Sequence, residues 1–227
     1  MSRHRGMPEM RILAVVVVAA TALSAFAKIA DEVVEGETRA VDTTILLALR
    51  SSTDASQPLG GPWLQGVARD VTALGSGTAL TLLVAMVVAF MLLAHRHRLA
   101  LFTLAATAGG ALLSALLKGV FDRPRPDLVP HGAYVDTSSF PSGHAMMSTV
   151  VYLTLAALVA RQIDDIRLKV YAMAVAVVLT ILVGISRVYL AVHWPTDVLA
   201  GWAAGAAWAL GCWIVAQFLD LGARDRS

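Results

Sequence analysis

VYAMAVAVVLTILVGISRVYLAVHWPTDVLAGWAAGAAWALGCWIVAQFL, residues 170–219, decides how this chain is built. Two apolar runs, about 170–186 and 198–219, flank a polar insert that holds Ser186-Arg187, His193 and Asp197. Each run is near the ~20 residues that a helix needs to cross about 30 Å of hydrocarbon. Working outward, similar runs recur at about 12–30, 74–94, 99–117 and 143–160. Lipid offers backbone amides no partners, so each run must satisfy its own hydrogen bonds as a helix. The alternation of polar and apolar residues that marks a membrane barrel is absent. The expected fold is all-α, a polytopic membrane bundle of six transmembrane helices, with residues 1–227 forming a single membrane-embedded domain.

Composition supports this reading. Hydrophobic residues make up 57% of the 227 and charged residues 15%, with a mean hydropathy of +0.69. That profile belongs to an integral membrane protein. A formal charge of +2 is too small to indicate a nucleic-acid partner. The one cysteine, Cys212, excludes an internal disulfide and lies in an apolar stretch where packing is its expected role.

The distribution of charge sets the expected orientation. With the N-terminus inside, cytoplasmic segments carry Arg3, Arg5, Arg11, Arg96, Arg98, Arg161, Arg167, Lys169, Arg224 and Arg226. The other side carries Lys28, Arg39, Arg50, Arg69, Lys118, Arg123, Arg125 and Arg187, three of which belong to the polar motifs described below. The positive-inside rule then places both termini in the cytoplasm of a multi-pass plasma-membrane protein and the polar motifs outside. Ala25-Phe26-Ala27 after an apolar run also resembles a signal-peptide cleavage site. A retained first span is the reading adopted. In the outer segment from about 31 to 74, Val41–Leu49 is apolar enough to form a short extracytoplasmic interfacial helix. Whether that segment is a lid or a plain connector stays open.

Three polar clusters sit at helix ends. KGVFDRPRP holds Lys118 and Arg125, with Arg123 and Arg125 alternating with prolines. Pro141-Ser142-Gly143-His144 precedes an apolar run, so Ser142 stands near an N-cap and Gly143 in the first turn. Unpaired N–H groups and the positive end of the helix dipole make such a place an anion seat. A plainer reading is a capped helix with an interfacial histidine. In the third cluster His193 and Asp197 are four residues apart. A carboxylate there can accept the Nδ1 proton and leave Nε2 as a nucleophile. The plainer reading is a capping aspartate beside an interfacial histidine. Lys118, likewise, can simply snorkel. Taken together, three cations and a helix N-terminus suit a phosphate and its transition state. No metal-ligand spacing appears, so the cations stand in the place of a metal and no cofactor is expected. Ionisable groups this costly beside a membrane are a functional site by default.

The motifs Lys118-x6-Arg125-Pro126, Pro141–His144 and Ser186-Arg187-x5-His193-x3-Asp197 resemble the signature of the type 2 phosphatidic acid phosphatase superfamily without a departure. Vanadium haloperoxidases are similar in these motifs, but they are soluble. The resemblance implies a metal-independent phosphatase acting on a membrane lipid phosphate at the extracytoplasmic face through a phosphohistidine. Candidate substrates are an isoprenoid diphosphate, phosphatidate or phosphatidylglycerophosphate. It implies that His193 attacks phosphorus, Asp197 orients it and His144 protonates the leaving group. Lys118, Arg125, Ser142, Gly143 and Arg187 would hold the phosphoryl oxygens. Arg123 is outside the signature positions. Tyr189 and Trp194 could touch substrate, but interface anchoring is the commoner job for such residues and is the expectation for both. The alternative is a lipid carrier or flippase that binds phosphate without hydrolysis, although binding alone needs no nucleophile and acid.

Overall fold

A computed structural model describes residues 6–130 and 137–218. Arg3, Arg5, Arg224, Arg226 and the last residue of the predicted sixth span, Leu219, lie outside the described residues. Within them the chain forms α1 (Gly6–Glu35), α2 (Arg39–Ala48), α3 (Gly61–Ala73), α4 (Gly77–Leu93), α5 (His97–Phe121), α6 (Gly143–Gln162), α7 (Ile166–Tyr189) and α8 (Pro195–Phe218). The fold is all-helical. Five helices, α1 and α5 to α8, are long and apolar enough to cross a membrane alone. The predicted second span is carried by α4, which has 17 residues and joins α3 at a bend of 43°; counted as one broken span, the pair makes six. Ser76 starts α4 by accepting from Ala79 N, which explains the break: a new N-cap opens a new helix.

The predicted interfacial helix is α2, Arg39–Ala48. Its polar side is not left to water. Asp42 and Leu46 are both fully buried, and Leu46 packs with Val129, Ala191 and Trp194. Outwardly the bundle is greasy, with Leu93, Val120 and Phe90 each more than two thirds exposed, as a lipid-facing surface requires.

Close helix approach is set by two glycines. A Cβ added to Gly201 would stand 2.7 Å from Ser142 O, and one added to Gly205 would stand 2.7 Å from Met146 O. Without side chains at these positions, α8 lies directly against the backbone of α6, the small-residue packing expected in lipid. This puts the start of α8 beside the start of α6, and Ser142 N donates to Asp197 O at 2.9 Å. α1 packs along α8, where Phe26, Phe121 and Phe140 meet with ring centroids 4.9–6.3 Å apart. Short connections between α4 and α5 and between α6 and α7 force antiparallel neighbours. The last turns of α5 and α7 therefore meet the first turns of α6 and α8 at one end of the bundle.

Candidate active site

Each element delivers its residue for a local reason. α5 stops after Phe121 because Asp122 turns to a positive φ of 21° and two prolines follow, leaving Lys118 in the last turn. Ser142 caps α6 through its side chain, which accepts from Ala145 N at 3.4 Å. Pro195 opens α8, where a missing N–H costs nothing, and leaves Asp197 in the first turn.

The predicted residues converge. The Lys118 side chain lies against Gly143, where an added Cβ would be 3.4 Å from Lys118 Cε. Lys118 Nζ donates to Ser138 O at 2.7 Å. Arg125 Nε donates to Thr137 O at 2.7 Å, and its Nη1 donates to Val192 O at 2.6 Å and lies 3.2 Å from His193 Nε2. Arg187 is buried and donates through Nη1 to Thr72 Oγ1 at 3.1 Å, while its Nε is buried without a hydrogen-bond partner. His144 is half-buried and feels the charges of Arg187, His193, Arg125 and Lys118 together. One basic cluster thus collects residues from α5, the turn after it, α6, α7 and the segment leading into α8.

His193 is 1% exposed, with Nδ1 3.4 Å from Asp197 Oδ2 and Nε2 turned toward Arg125. Burial, seconded by the cations Arg187 and Arg125, lowers its pKa to about 4 against the opposing pull of Asp197. The imidazole is therefore neutral at physiological pH. Asp197 is also buried, and its Oδ2 accepts from Trp194 N at 2.9 Å. Among the described residues, no three His, Cys, Asp or Glu side chains come together to hold a metal.

Three features escaped the sequence reading. Arg123, outside the signature positions, is a centre of the site: Nη1 donates to Asp197 Oδ1 at 2.6 Å and Nη2 to Asp42 Oδ2 at 2.7 Å. The R-P-R-P alternation was the available signal, since it turns successive arginines to different sides. Trp194 is no interface anchor; it is 2% exposed, its Nε1 donates to Pro124 O, and Arg123 lies 5.6 Å from its ring centroid. Tyr189 is likewise buried, and its hydroxyl donates to Leu59 O at 2.6 Å. The outer segment is bound down there as well, because Arg50 Nη2 donates to Tyr189 O at 2.7 Å.

Comparison with known proteins identifies the family. Residues 98–220 match the sequence model of the PAP2 superfamily. Phosphatidylglycerophosphatase B of Bacillus subtilis is 36% identical over 145 residues, which are 63% of this chain and 71% of that protein. An undecaprenyl-diphosphatase of Sulfolobus acidocaldarius is 36% identical over 76 residues, 34% of this chain and 30% of that protein. The crystal structure of a transmembrane PAP2 type phosphatidylglycerolphosphate phosphatase from Bacillus subtilis superposes with a TM-score of 0.73 at 28% identity, covering 94% of this chain and 98% of the other. Aquifex aeolicus LpxE gives 0.53 at 25% identity, covering 68% and 88%. Its matched residues contain all three clusters and its fold is shared with a membrane phosphatase, so the chain belongs to the PAP2 superfamily as a membrane-embedded PAP2-type hydrolase.

Proposed function

We propose that this protein dephosphorylates a membrane lipid through a phosphohistidine at His193. The observation that carries the reading is the orientation of this buried imidazole: Nδ1 faces Asp197 and Nε2 faces Arg125 in the basic cluster. A neutral ring that keeps its proton on Nδ1 has its lone pair on Nε2, aimed where a phosphoryl group would lie. As Nε2 bonds to phosphorus, the bond from phosphorus to the lipid oxygen breaks and positive charge develops on the ring, which Asp197 stabilises. His144 gives a proton to the departing oxygen and then takes one from the water that cleaves the phosphohistidine. Lys118, Arg125 and Arg187 answer the charge on the equatorial oxygens, assisted by the Gly143 N–H at the start of α6. The buried Arg187 Nε without a partner suits a donor reserved for an oxyanion.

The basic residues Arg96, Arg98, Arg161, Arg167 and Lys169 flank the opposite end of the bundle, so by the positive-inside rule the pocket opens on the extracytoplasmic side. A phosphorylated glycerolipid is the favoured substrate, because the long similarities in sequence and structure are to phosphatidylglycerophosphate phosphatases. The test is phosphate release by the purified protein from phosphatidylglycerophosphate, phosphatidate and an isoprenoid diphosphate in excess chelator, with His193→Ala beside it. The expected result is turnover in chelator and, after acid-free quenching, a phosphorylated wild-type protein that His193→Ala does not form. Wild-type turnover by His193→Ala would reject the nucleophile, and strict dependence on magnesium would reject the replacement of a metal by side-chain cations.

A further inference from the structure

Asp42 lies on α2, outside the three motifs and outside the residues matched by the family, yet its side chain is fully buried. Its Oδ2 accepts from Arg123 Nη2 at 2.7 Å and from Thr196 Oγ1 at 2.7 Å, and its Oδ1 accepts from Thr196 N at 3.0 Å. On its other side the same guanidinium donates to Asp197 Oδ1 at 2.6 Å. Asp197 Oδ2 then faces His193. Asp42, Arg123, Asp197 and His193 thus form a line of alternating charge, with the Arg123 side chain only 13% exposed.

This line has an electrostatic consequence. A carboxylate bonded to a guanidinium has less charge to offer an imidazolium, and in a buried setting the loss is felt strongly. Asp42 offsets that loss by compensating Arg123 from behind. The planar fork of arginine suits the task, since it bonds both carboxylates at once and fixes the angle of Asp197. Among the described residues, the other charged or titratable groups around His193 and Asp197 are Arg187 from α7, Arg125 from the turn after α5, His144 from α6 and Lys118 from α5. Arg123 is the group that donates to Asp197 Oδ1, at 2.6 Å.

We propose that Asp42 and Arg123 are positioning residues for the reaction: together they hold the Asp197 carboxylate in place and set how much of its charge reaches His193. The interfacial helix α2 is then a working wall of the site and not a lid. The proposal rests on the reading of His193 and Asp197 given above, and it extends the site to an element beyond the family match.

The experiment uses the full chain in detergent, with phosphate release from phosphatidylglycerophosphate measured for Asp42→Asn, Arg123→Gln, Arg123→Lys and the double variant Asp42→Asn/Arg123→Gln. Asp42→Asn should lower kcat by roughly 10–100-fold with KM changed by less than about threefold, the scale seen when partners that orient catalytic ligands are lost. The double variant should lose less than the product of the single losses, because removing Arg123 removes the charge that Asp42 balances. The ratio of variant to wild-type kcat/KM, followed from pH 7 to pH 5, cancels ionisation of the substrate. That ratio should rise toward acid for Asp42→Asn, where more net positive charge keeps His193 neutral, and fall for Arg123→Gln, where Asp197 favours the imidazolium. Arg123→Lys keeps the charge but loses the fork, so its kcat should fall with a flat ratio.

Wild-type kcat in either single charge variant, multiplicative losses, or ratios that move in the same direction would overturn the proposal. If Asp42→Asn does not fold, the pair Arg123→Gln and Arg123→Lys decides, and equal pH ratios for those two would overturn it. His193→Ala, run alongside, separates the layers: turnover there sinks the reading of the site, whereas a dead His193→Ala beside unaffected Asp42 and Arg123 variants sinks this inference alone.

Discussion

Substituting Gly201 by alanine is the sharpest probe of how the bundle makes the site. An added Cβ would stand 2.7 Å from Ser142 O, 3.0 Å from Ala145 Cβ and 3.1 Å from Met146 N. An ordinary carbon–oxygen contact is about 3.3 Å or more, so α8 must retreat from α6 by roughly 0.5 Å at this level. The neighbouring bond from Ser142 N to Asp197 O, now 2.9 Å, would lengthen toward the limit of a hydrogen bond. Overpacking of this kind costs about 1–3 kcal/mol. A misplacement of about 1 Å can cost on the order of 100-fold in rate, so about half that distance between His193, moving with α8, and the phosphate donors of α6 should cost about 10-fold or more. Gly201→Ala should therefore lower kcat by about 10–100-fold and reduce the thermal midpoint in detergent, read by phosphate release and tryptophan fluorescence. Gly211→Ala on the same helix is the control, because a Cβ there meets nothing within 4 Å. Gly205→Ala meets Met146 O at 2.7 Å one turn deeper, so it should lose stability but less activity. A Gly201→Ala protein with the kcat and midpoint of Gly211→Ala would refute the argument that backbone contact between α6 and α8 sets the site.

Other outcomes follow from the same geometry. His144→Ala should slow release of a lipid alkoxide far more than release of an activated aryl phenoxide, and equal losses on both substrates would contradict its role as proton donor. Arg187→Lys removes the buried Nε donor and the bond to Thr72, and it should raise KM for the lipid phosphate with a loss of about 10-fold or more in kcat/KM, measured by steady-state kinetics. His193 is held neutral by burial, with a pKa of about 4 against about 6.5 in the unfolded chain. Between those values the unfolded state binds more protons, so the contribution of this residue to stability is full above pH 6.5 and is lost as pH falls toward 4, by at most about 3 kcal/mol. Thermal midpoints at pH 7 and pH 4.5 should consequently differ less in His193→Ala than in the wild type, and identical differences would exclude this source.

What the sequence alone determined was local. Apolar runs of membrane length, the Ser142 cap, Pro195 at the start of α8 and the alternating helix directions are all set within a few residues, or by the cost of exposing backbone to lipid. The spacing of Lys118, Arg125, His144, Arg187 and His193 was readable because each stands at a helix end, and helix ends in adjacent spans meet at a membrane face. The bend between α3 and α4 was not readable, since the run from 74 continues smoothly in hydropathy and only the side-chain cap of Ser76 separates the helices. Nor was Asp42. It lies in a short helix that looks interfacial, 81 residues from Arg123 and 154 from Thr196, and no periodicity links positions so distant. Only the tertiary structure decided that this aspartate, and not water or a headgroup, meets the far side of Arg123. A buried guanidinium needs its charge and donors matched, and which part of the chain supplies the match depends on packing in three dimensions.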